Sequence, residues 1–341
     1  MQQFLNLQEL PKALAGRKTM LVCGGSLDRL PIAATVNSLA AVRFSAFSPN
    51  PLYEDVAAGV ELFRSSGCDA ILAVGGGSAM DVAKCIKLFA PMDPDTLYLE
   101  QPYEGNDILL AAIPTTAGTG SESTRHAVIY YKGEKQSISH PDLVPGLVCL
   151  IPEVLKDLPL YQKKCTMLDA LGQAIESWWS VSATAESIGY SKIAIDLIRS
   201  NWKAYVQSGK HADQILLASN YAGRAINITA TTAAHAMSYK LTSLYGIPHG
   251  HAVGLCLPEV WEEMAEEAKL RPVFQKMSVD LPWLRRLLAE LEMERPVSAD
   301  RETDLEILAD SVNPLRLKNN PVAFSRDTLK AMYERILSNE S

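Results

Sequence analysis

The sequence contains no run of about 18 uninterrupted apolar residues, and its N-terminus lacks the long apolar core of a signal peptide. We therefore expect a soluble, cytoplasmic protein. Positive charge is in deficit, because 32 Lys and Arg residues face 39 Asp and Glu residues, for a net charge of −7. This balance argues against broad electrostatic binding to nucleic acid or to an anionic membrane, so neither partner is expected.

A CxxC pair is also absent. The six cysteines, at positions 23, 68, 85, 149, 165 and 256, mostly lie in apolar runs, which is typical of buried, reduced thiols. A Cys-rich zinc module is excluded, so any metal would need histidine and carboxylate ligands. The chain has 341 residues, of which 48% are hydrophobic, which is enough for two domains with sizeable cores.

The first half alternates short apolar runs with amphipathic stretches, a pattern that predicts βαβ units and a parallel sheet. The predicted strands cover residues 19–23, 43–47, 70–74, 109–113 and 147–151, with a hairpin at 128–131 and 136–139. Helices are predicted at 30–39, at 55–65 and from about residue 78.

Strand-like runs nearly vanish after Pro152, and helical patterns replace them. The predicted helices cover residues 166–179, 185–200, 214–230, 233–244 and 261–268. The sequence thus predicts an α/β dinucleotide-binding domain over residues 1–155 and an all-helical metal- and substrate-binding domain over residues 156–341. A cleft between two such domains is a usual place for a ligand.

Two loops rich in glycine or hydroxyl groups each follow an apolar strand. Such loops let backbone N–H groups approach a phosphate closely, and hydroxyl groups suit a ribose and a pyrophosphate. The first loop contains Gly75, Gly76, Gly77 and Ser78, with Asp81 and Lys84 on the following helix, and the second contains Thr115, Thr116 and Thr119. Neither loop matches GxGxxG or Walker A, and each alone could be a tight structural turn. Together they favour a dinucleotide site.

The helical half holds candidate metal ligands. Asp169 lies in an otherwise apolar run, where a carboxylate needs a partner because burying an unpaired charge is costly. Gln173 follows four residues later on the same helix face. One carboxylate with His235 and His249 is a ligand set suited to Fe²⁺ or Zn²⁺, although spacing alone does not bring the three together.

Four segments resemble the iron-containing (group III) alcohol dehydrogenases, a family related to glycerol dehydrogenase and dehydroquinate synthase. They are GGGSAMDVAK at 75–84, PTTAGTGSE at 114–122, DALGQAIE at 169–176 and HAMSYKL…GIPHGHA at 235–252. The resemblance implies a dinucleotide-binding α/β domain, a helical domain that binds a divalent metal, and commonly a homodimer. It also implies that Asp169, His235 and His249 are metal ligands.

The chain departs from the family pattern at the second metal ligand, usually a histidine, where it has Gln173. An amide oxygen is a weaker ligand, so Gln173 is a possible weak fourth ligand at most. Lys240 stands close to a second histidine position of the family, and Arg125 follows the second loop. Two cations near a metal would favour an anionic substrate, unless both are ordinary surface residues.

The resemblance also bears on the coenzyme. Many members that use NAD place an Asp after the first strand, whereas this chain has Gly24, Gly25 and Ser26 there. This form is similar to NADPH-dependent members, so NADPH is expected, while Asp28 slightly further on keeps NADH possible. Lys84 is expected to anchor the loop rather than to contact the substrate.

The predicted function is metal-dependent reduction of an aldehyde to a primary alcohol, with His251 as a proton relay or as a hydrogen-bonding support. The segment 231–253 together with Gln173 resembles members that reduce phosphonoacetaldehyde to 2-hydroxyethylphosphonate in phosphonate biosynthesis. The alternatives are a reductase of neutral aldehydes, a lyase of the dehydroquinate synthase type, and a scaffold protein without a metal. Net consumption of reduced coenzyme separates a reductase from the lyase, and metal content tests the scaffold.

Overall fold

The apolar runs of the first half form a six-stranded, all-parallel sheet in the computed structural model, which describes residues 2–337. Its strands are β1 Gln3–Phe4, β2 Thr19–Cys23, β3 Val42–Phe44, β4 Ala70–Gly75, β5 Leu109–Pro114 and β8 Leu147–Val148. Across the sheet they follow the order β1–β8–β5–β4–β2–β3. The predicted parallel α/β architecture is therefore confirmed.

The central strands β2 and β4 are buried along their whole length, as expected for parallel strands covered on both faces. Their register pairs Cys23 with Val74, and Gly75 with Pro114 of β5. The carboxyl ends of three neighbouring strands thus lie side by side. The three loops that follow them start from one edge of the sheet, where open α/β folds bind ligands.

Helices cover the sheet of this first unit, and their bounds are α1 Leu10–Ala13, α2 Ala33–Ser38, α3 Tyr53–Ser65 and α4 Gly77–Phe89. The predicted hairpin is present as antiparallel strands β6 (His126–Tyr131) and β7 (Glu134–Ser139). Its two-residue turn places Lys132 and Gly133 at φ values of +51° and +80°, the conformation that matches the twist of paired strands.

Three predicted elements of this unit are shorter than expected, and the strand predicted at 147–151 is one of them, because β8 ends at Val148. The strand predicted at 43–47 ends at Phe44, because its only sheet neighbour, β2, itself ends at Cys23. The helix predicted at 30–39 begins at Ala33, because Pro31 forces Leu30 into an extended conformation with ψ of 147°.

The chain divides between Leu158 and Pro159, and the described part of the second unit contains helices without strands. The α-helices are α5 Leu160–Trp179, α6 Ala185–Ser208, α7 Ala212–Thr229, α8 Ala233–Tyr245, α9 His249–Ala265, α10 Arg271–Phe274, α11 Leu281–Glu290, α12 Arg301–Ser311, α13 Pro314–Leu317 and α14 Arg326–Ile336. α5 packs against α6, α7 and α9, which explains why its second half is buried almost all round.

The helix predicted at 261–268 is instead α9, which begins at His249 and ends at Ala265. Gly250, Gly254 and Pro258 lower the intrinsic helix propensity of this segment, but its burial against α5 overrides that preference. Among the helices of residues 2–337, none has the length and apolarity needed to cross a membrane.

Candidate metal centre and nucleotide-binding loops

The second unit brings Asp169, His235 and His249 together from three different helices, α5, α8 and α9. Nε2 of His235 lies 3.3 Å from Oδ1 of Asp169, and Nε2 of His249 lies 3.7 Å from the same oxygen. Ligand atoms bound at about 2.1 Å in a tetrahedral site are separated by about 3.4 Å. The donor set and its spacing therefore fit one divalent transition-metal ion.

Two glycines allow these helices to approach each other. A Cβ atom at Gly250, the second residue of α9, would lie 1.9 Å from the carbonyl oxygen of Cys165 on α5. A Cβ atom at Gly172 would lie 2.5 Å from Cγ1 of Val253. The absence of both side chains sets the spacing between α5 and α9, and with it the position of His249 beside Asp169.

Hydrogen bonds to the other ring nitrogen orient both histidines. Nδ1 of His235 donates to Oε2 of Glu176, which is fully buried one turn beyond Gln173 on α5. The Ser238 hydroxyl donates to the backbone oxygen of His235, so it accepts from Nδ1 of His249 at 3.2 Å. Because Nδ1 is the donor to Glu176 in His235 and to Ser238 in His249, Nε2 is the nitrogen of each ring that faces Asp169 and that can give up its proton to bind a metal.

The charges of the cluster are mutually stabilised. Burial lowers the pKa of His235, but the carboxylates of Glu176 and Asp169 outweigh burial and raise this pKa to about 9. Burial raises the pKa of Asp169, but the hydrogen bond from His235 and the charge of His249 bring it below its ordinary value. Two carboxylates around imidazole nitrogens form a negative environment that stabilises a bound cation, and a metal ion that binds there displaces the Nε2 proton of His235.

Gln173 lies beside this cluster. Its side chain is buried and hydrogen-bonds to Asp169, which contributes to the lowered pKa of that carboxyl. Its amide oxygen Oε1 is a buried atom that accepts no hydrogen bond from residues 2–337. An amide oxygen in this place is compatible with a weak fourth ligand, and it leaves room in the coordination sphere for a substrate oxygen.

Lys240 does not lie on the same face of α8 as His235. Four residues after a helical position the side chain returns to the same face, whereas five residues turn it away by about 140°. Tyr239 takes the expected place, and its ring stacks on that of His249 with centroids 5.3 Å apart and an interplanar angle of 6°. The residue one helical turn beyond His235 is therefore Tyr239, while a contact of Lys240 with the substrate stays a prediction.

His251 lies outside the cluster, although it is only two residues from His249. Its Nε2 donates to the backbone oxygen of Glu294 at 2.9 Å, and its Nδ1 accepts from the Tyr161 hydroxyl at 2.7 Å. Both ring nitrogens are engaged, and burial lowers the pKa of the imidazole. Of the two roles considered for His251, the geometry favours hydrogen-bonding support over proton relay.

The two phosphate-binding loops predicted in the first unit meet each other. A Cβ atom at Gly76 would lie 3.3 Å from the side chain of Thr116, and one at Gly77 would lie 3.2 Å from Thr119. Gly76 is the N-cap residue of α4, and no side chain caps the first N–H groups of this helix. The first turn of α4 also contains no acidic residue. The first N–H groups of α4 and the threonine hydroxyls thus form a cradle that fits a pyrophosphate.

Lys84 anchors the second loop from the buried side of α4, as predicted. Its fully buried ammonium donates to the Ser121 and Thr124 hydroxyls and to the backbone oxygen of His126, at 2.9, 3.0 and 2.8 Å. Asp81, one turn earlier on α4, accepts a hydrogen bond from Ser121 at 3.5 Å. Asp81 therefore joins α4, which follows the first loop, to Ser121 at the end of the second loop.

The remaining predicted cofactor residues, Gly24, Gly25 and Ser26, directly follow β2. Asp28 lies in the same short 3-10 helix as Gly25 and Ser26 and forms a two-pronged ion pair with Arg43 on β3, at 2.6 and 3.1 Å. The Arg43 guanidinium holds the pKa of Asp28 below its ordinary value. Arg43 was not predicted from sequence. Arg125 lies just before β6 in the same unit and is half-buried.

A parallel sheet, a pyrophosphate cradle and a histidine–carboxylate cluster in one chain are features of the class of nucleotide-linked, metal-dependent oxidoreductases. Residues 2–152 match the family model for iron-containing alcohol dehydrogenase, and residues 164–337 match the model for the C-terminal part of the same family. The chain belongs to the iron-containing alcohol dehydrogenase family.

Three relatives illustrate the range of this family. The probable alcohol dehydrogenase EutG of Escherichia coli is 34% identical over 67% of this chain and 60% of its own length. The phosphonoacetaldehyde reductase of Streptomyces viridochromogenes is 34% identical over 60% of this chain and 55% of its own length. The crystal structure of sulfoacetaldehyde reductase from Bifidobacterium kashiwanohense with NAD⁺ is 26% identical, with a TM-score of 0.86 over 98% of this chain and 96% of that one. The chain thus spans little more than half of either curated relative, but nearly all of the solved one.

Proposed function

We propose that the protein is a metal-dependent, NAD(P)H-linked aldehyde reductase, with phosphonoacetaldehyde as its substrate and 2-hydroxyethylphosphonate as its product. The observation that carries the reductase activity is the convergence of two imidazole Nε2 atoms and one carboxylate oxygen, all within 4.8 Å of one another. When bound, a divalent metal supplies Lewis acidity toward a carbonyl oxygen, and a reduced nicotinamide supplies hydride.

The residues of the chain have three tasks in this proposal. Asp169, His235 and His249 hold the metal, while Glu176 and Ser238 keep the two imidazole rings in the tautomer that leaves Nε2 available. Iron is the metal that the family indicates, and zinc is the alternative that the same ligands accept. The proton that completes the alcohol comes from water, since both nitrogens of His251 are engaged.

The coenzyme is bound by the loops at the carboxyl edge of the sheet. The N–H groups of Gly76, Gly77 and Ser78 face the pyrophosphate, and Thr116 and Thr119 contribute hydroxyl donors beside them. Thr115 supports this arrangement through its backbone N–H, which donates to the oxygen of Gly75 at 2.9 Å. Lys84 keeps the threonine loop in place from inside the unit.

Two relatives support an anionic substrate. The names of the Streptomyces and Bifidobacterium proteins describe reduction of phosphonoacetaldehyde and of sulfoacetaldehyde, two short aldehydes that carry an oxyanion one methylene group away from the carbonyl. A positively charged side chain near the metal would be required to bind such a group. Neutral aldehydes remain the competing substrate class, because other relatives are alcohol dehydrogenases by name.

The deciding experiment compares phosphonoacetaldehyde with propanal, an uncharged aldehyde of similar size, using iron-loaded enzyme and either reduced coenzyme. We expect kcat/KM for the phosphonate to exceed that for propanal by at least about 100-fold, because one desolvated oxyanion–guanidinium pair contributes about 3 kcal/mol. Equal turnover of both aldehydes would contradict the proposed substrate. Absence of net coenzyme oxidation with both would contradict a reductase and favour a lyase.

NADPH is the proposed coenzyme, and Arg43 supports it. A coenzyme 2′-phosphate needs a cation near the turn that follows β2, and Arg43 contacts that turn through its ion pair with Asp28. Arg43 also contacts Cys23, the last residue of β2. The Asp28 carboxylate, which would otherwise bind the ribose hydroxyls of NADH, is paired with this guanidinium.

Replacement of Arg43 by alanine tests the coenzyme preference. In Arg43→Ala we expect kcat/KM for NADPH to fall by about tenfold to 100-fold, because a charge-assisted bond to the 2′-phosphate is lost, while that for NADH is retained or rises. The matched control is Arg17→Ala, because Arg17 forms a similar ion pair with Asp69, at 3.2 Å, at the opposite end of the strands. Equal losses with both coenzymes in Arg43→Ala would contradict the assignment.

A further inference from the structure

A cation that the sequence did not single out lies one aromatic ring away from the metal cluster. The guanidinium of Arg316, on α13, is positioned over the ring of Tyr239, with Cζ 5.0 Å from the ring centroid. Its Nη1 also donates to the Tyr239 hydroxyl at 3.2 Å. Tyr239 in turn stacks on His249, so Arg316, Tyr239 and His249 form a continuous row that ends at Asp169.

The segment that carries Arg316 is firmly attached to the helical unit. Asn313 caps α13 by accepting a hydrogen bond from the backbone N–H of Leu315 at 2.9 Å. Three residues after Arg316, the Asn319 side chain accepts from the Ser180 hydroxyl at 2.8 Å and donates to the backbone oxygens of Thr229 and Thr231. These contacts join the segment to the ends of α5 and α7, so the guanidinium is held at a defined distance from the cluster.

Tyr239 suits the role of a support for this guanidinium. Arginine stacks on aromatic faces and presents N–H groups in a rigid fork that matches an oxyanion. The row Arg316–Tyr239–His249 therefore places an oxyanion-binding group one aromatic ring away from a metal ligand. In phosphonoacetaldehyde one methylene group separates the phosphonate from the carbonyl.

We propose that Arg316, positioned by Tyr239, binds the anionic group of the substrate. This assignment rests on the proposed reduction of an anionic aldehyde and replaces Lys240 as the cation of the helical unit that recognises it. Tyr239 acts through Arg316 and is a positioning residue. Arg316 is half-buried, so its guanidinium can exchange solvent for a substrate oxyanion at modest desolvation cost.

Three variants of the metal-loaded enzyme test the assignment. Arg316→Gln removes the charge at similar length, Arg316→Lys keeps the charge but loses the planar fork, and Lys318→Gln removes an exposed cation two residues away as the matched control. We expect the loss of kcat/KM in Arg316→Gln to be at least about tenfold greater for phosphonoacetaldehyde than for propanal, and to arise mainly in KM. Arg316→Lys should recover part of the loss, and Lys318→Gln should behave like the unsubstituted enzyme.

Binding of 2-hydroxyethylphosphonate, measured by calorimetry without turnover, provides an independent readout. Its dissociation constant should rise by about tenfold or more in Arg316→Gln at unchanged metal content. Unchanged binding, or equal losses for phosphonoacetaldehyde and propanal, would overturn the role of Arg316. If the unsubstituted enzyme instead reduces both aldehydes equally well, the proposed substrate fails. Arg316-dependent binding of the phosphonate would even then support the anion site.

Discussion

Replacement of Glu176 by glutamine is expected to weaken metal binding by about 100-fold, the upper end of the range for carboxylates that support a metal-bound histidine. Oε1 of Glu176 accepts from the Thr232 hydroxyl and the Ala234 N–H, both at 2.7 Å, and Oε2 accepts from Nδ1 of His235. A glutamine that keeps its oxygen at the first position places an NH₂ group against Nδ1. His235 must then carry its proton on Nε2, where the metal should bind.

The measurement is competition for Fe²⁺ or Zn²⁺ with a chromogenic chelator, together with metal content after purification. Because the glutamine oxygen can retain the contacts with Thr232 and Ala234, thermal unfolding of the metal-free protein should change far less than metal affinity. Glu262→Gln is the control, since Glu262 forms a surface ion pair with Arg285 at 2.7 Å. Metal affinity that is unchanged in Glu176→Gln would mean that another group sets the His235 tautomer.

Central strands were predicted well because burial on both faces leaves a continuous apolar run in the sequence. β2 coincides with its predicted bounds, and β4 and β5 each extend one residue beyond theirs, through Gly75 and Pro114. The strands at the two edges of the sheet, β1 and β3, were predicted less well, because the length of an edge strand depends on its neighbour. β1, two residues at Gln3–Phe4, leaves no periodic signal and exists only through its pairing with β8.

Helix α9 shows how tertiary packing overrides local preference. Two glycines and Pro258 indicate a break between His249 and Trp261, yet the helix is continuous. The missing signal is the packing of other helices on α9, with α5 as the main neighbour, which buries every residue from Gly250 to Trp261. Local propensity contains no information about a neighbouring helix more than 70 residues earlier in the chain.

The residues of the candidate site also differ in whether the sequence contains a signal for them. Asp169, His235 and His249 were predicted from the chemistry of their side chains and from the family motifs. Glu176, seven residues after Asp169 and so on the same helix face, could have been found from that spacing. Tyr239, four residues after His235, carries the same kind of signal. Arg316, 77 residues from Tyr239, carries none, because its position depends on how α13 packs on α8.

Replacement of Gly250 by alanine is expected to lower the free energy of unfolding by about 3–5 kcal/mol and to reduce metal occupancy. The added Cβ would lie 1.9 Å from the Cys165 oxygen and 3.0 Å from Cβ of Asp169. The first contact is with backbone, which no rotamer change can relieve. The start of α9 must therefore move away from α5, and His249, the preceding residue, moves away from Asp169 with it.

The matched control is Gly189→Ala, also within a helix, where an added Cβ has no neighbour within 4 Å. There we expect a gain of about 0.5–1 kcal/mol, because alanine has the higher helix propensity. Denaturant unfolding of both variants, with and without metal, measures the difference. Steric separation of α5 and α9 should make the metal-dependent stabilisation of Gly250→Ala smaller than that of Gly189→Ala. Equal stabilisation by metal in the two variants would show that Asp169 and His249 do not share a metal ion, because their spacing depends on the contact at Gly250.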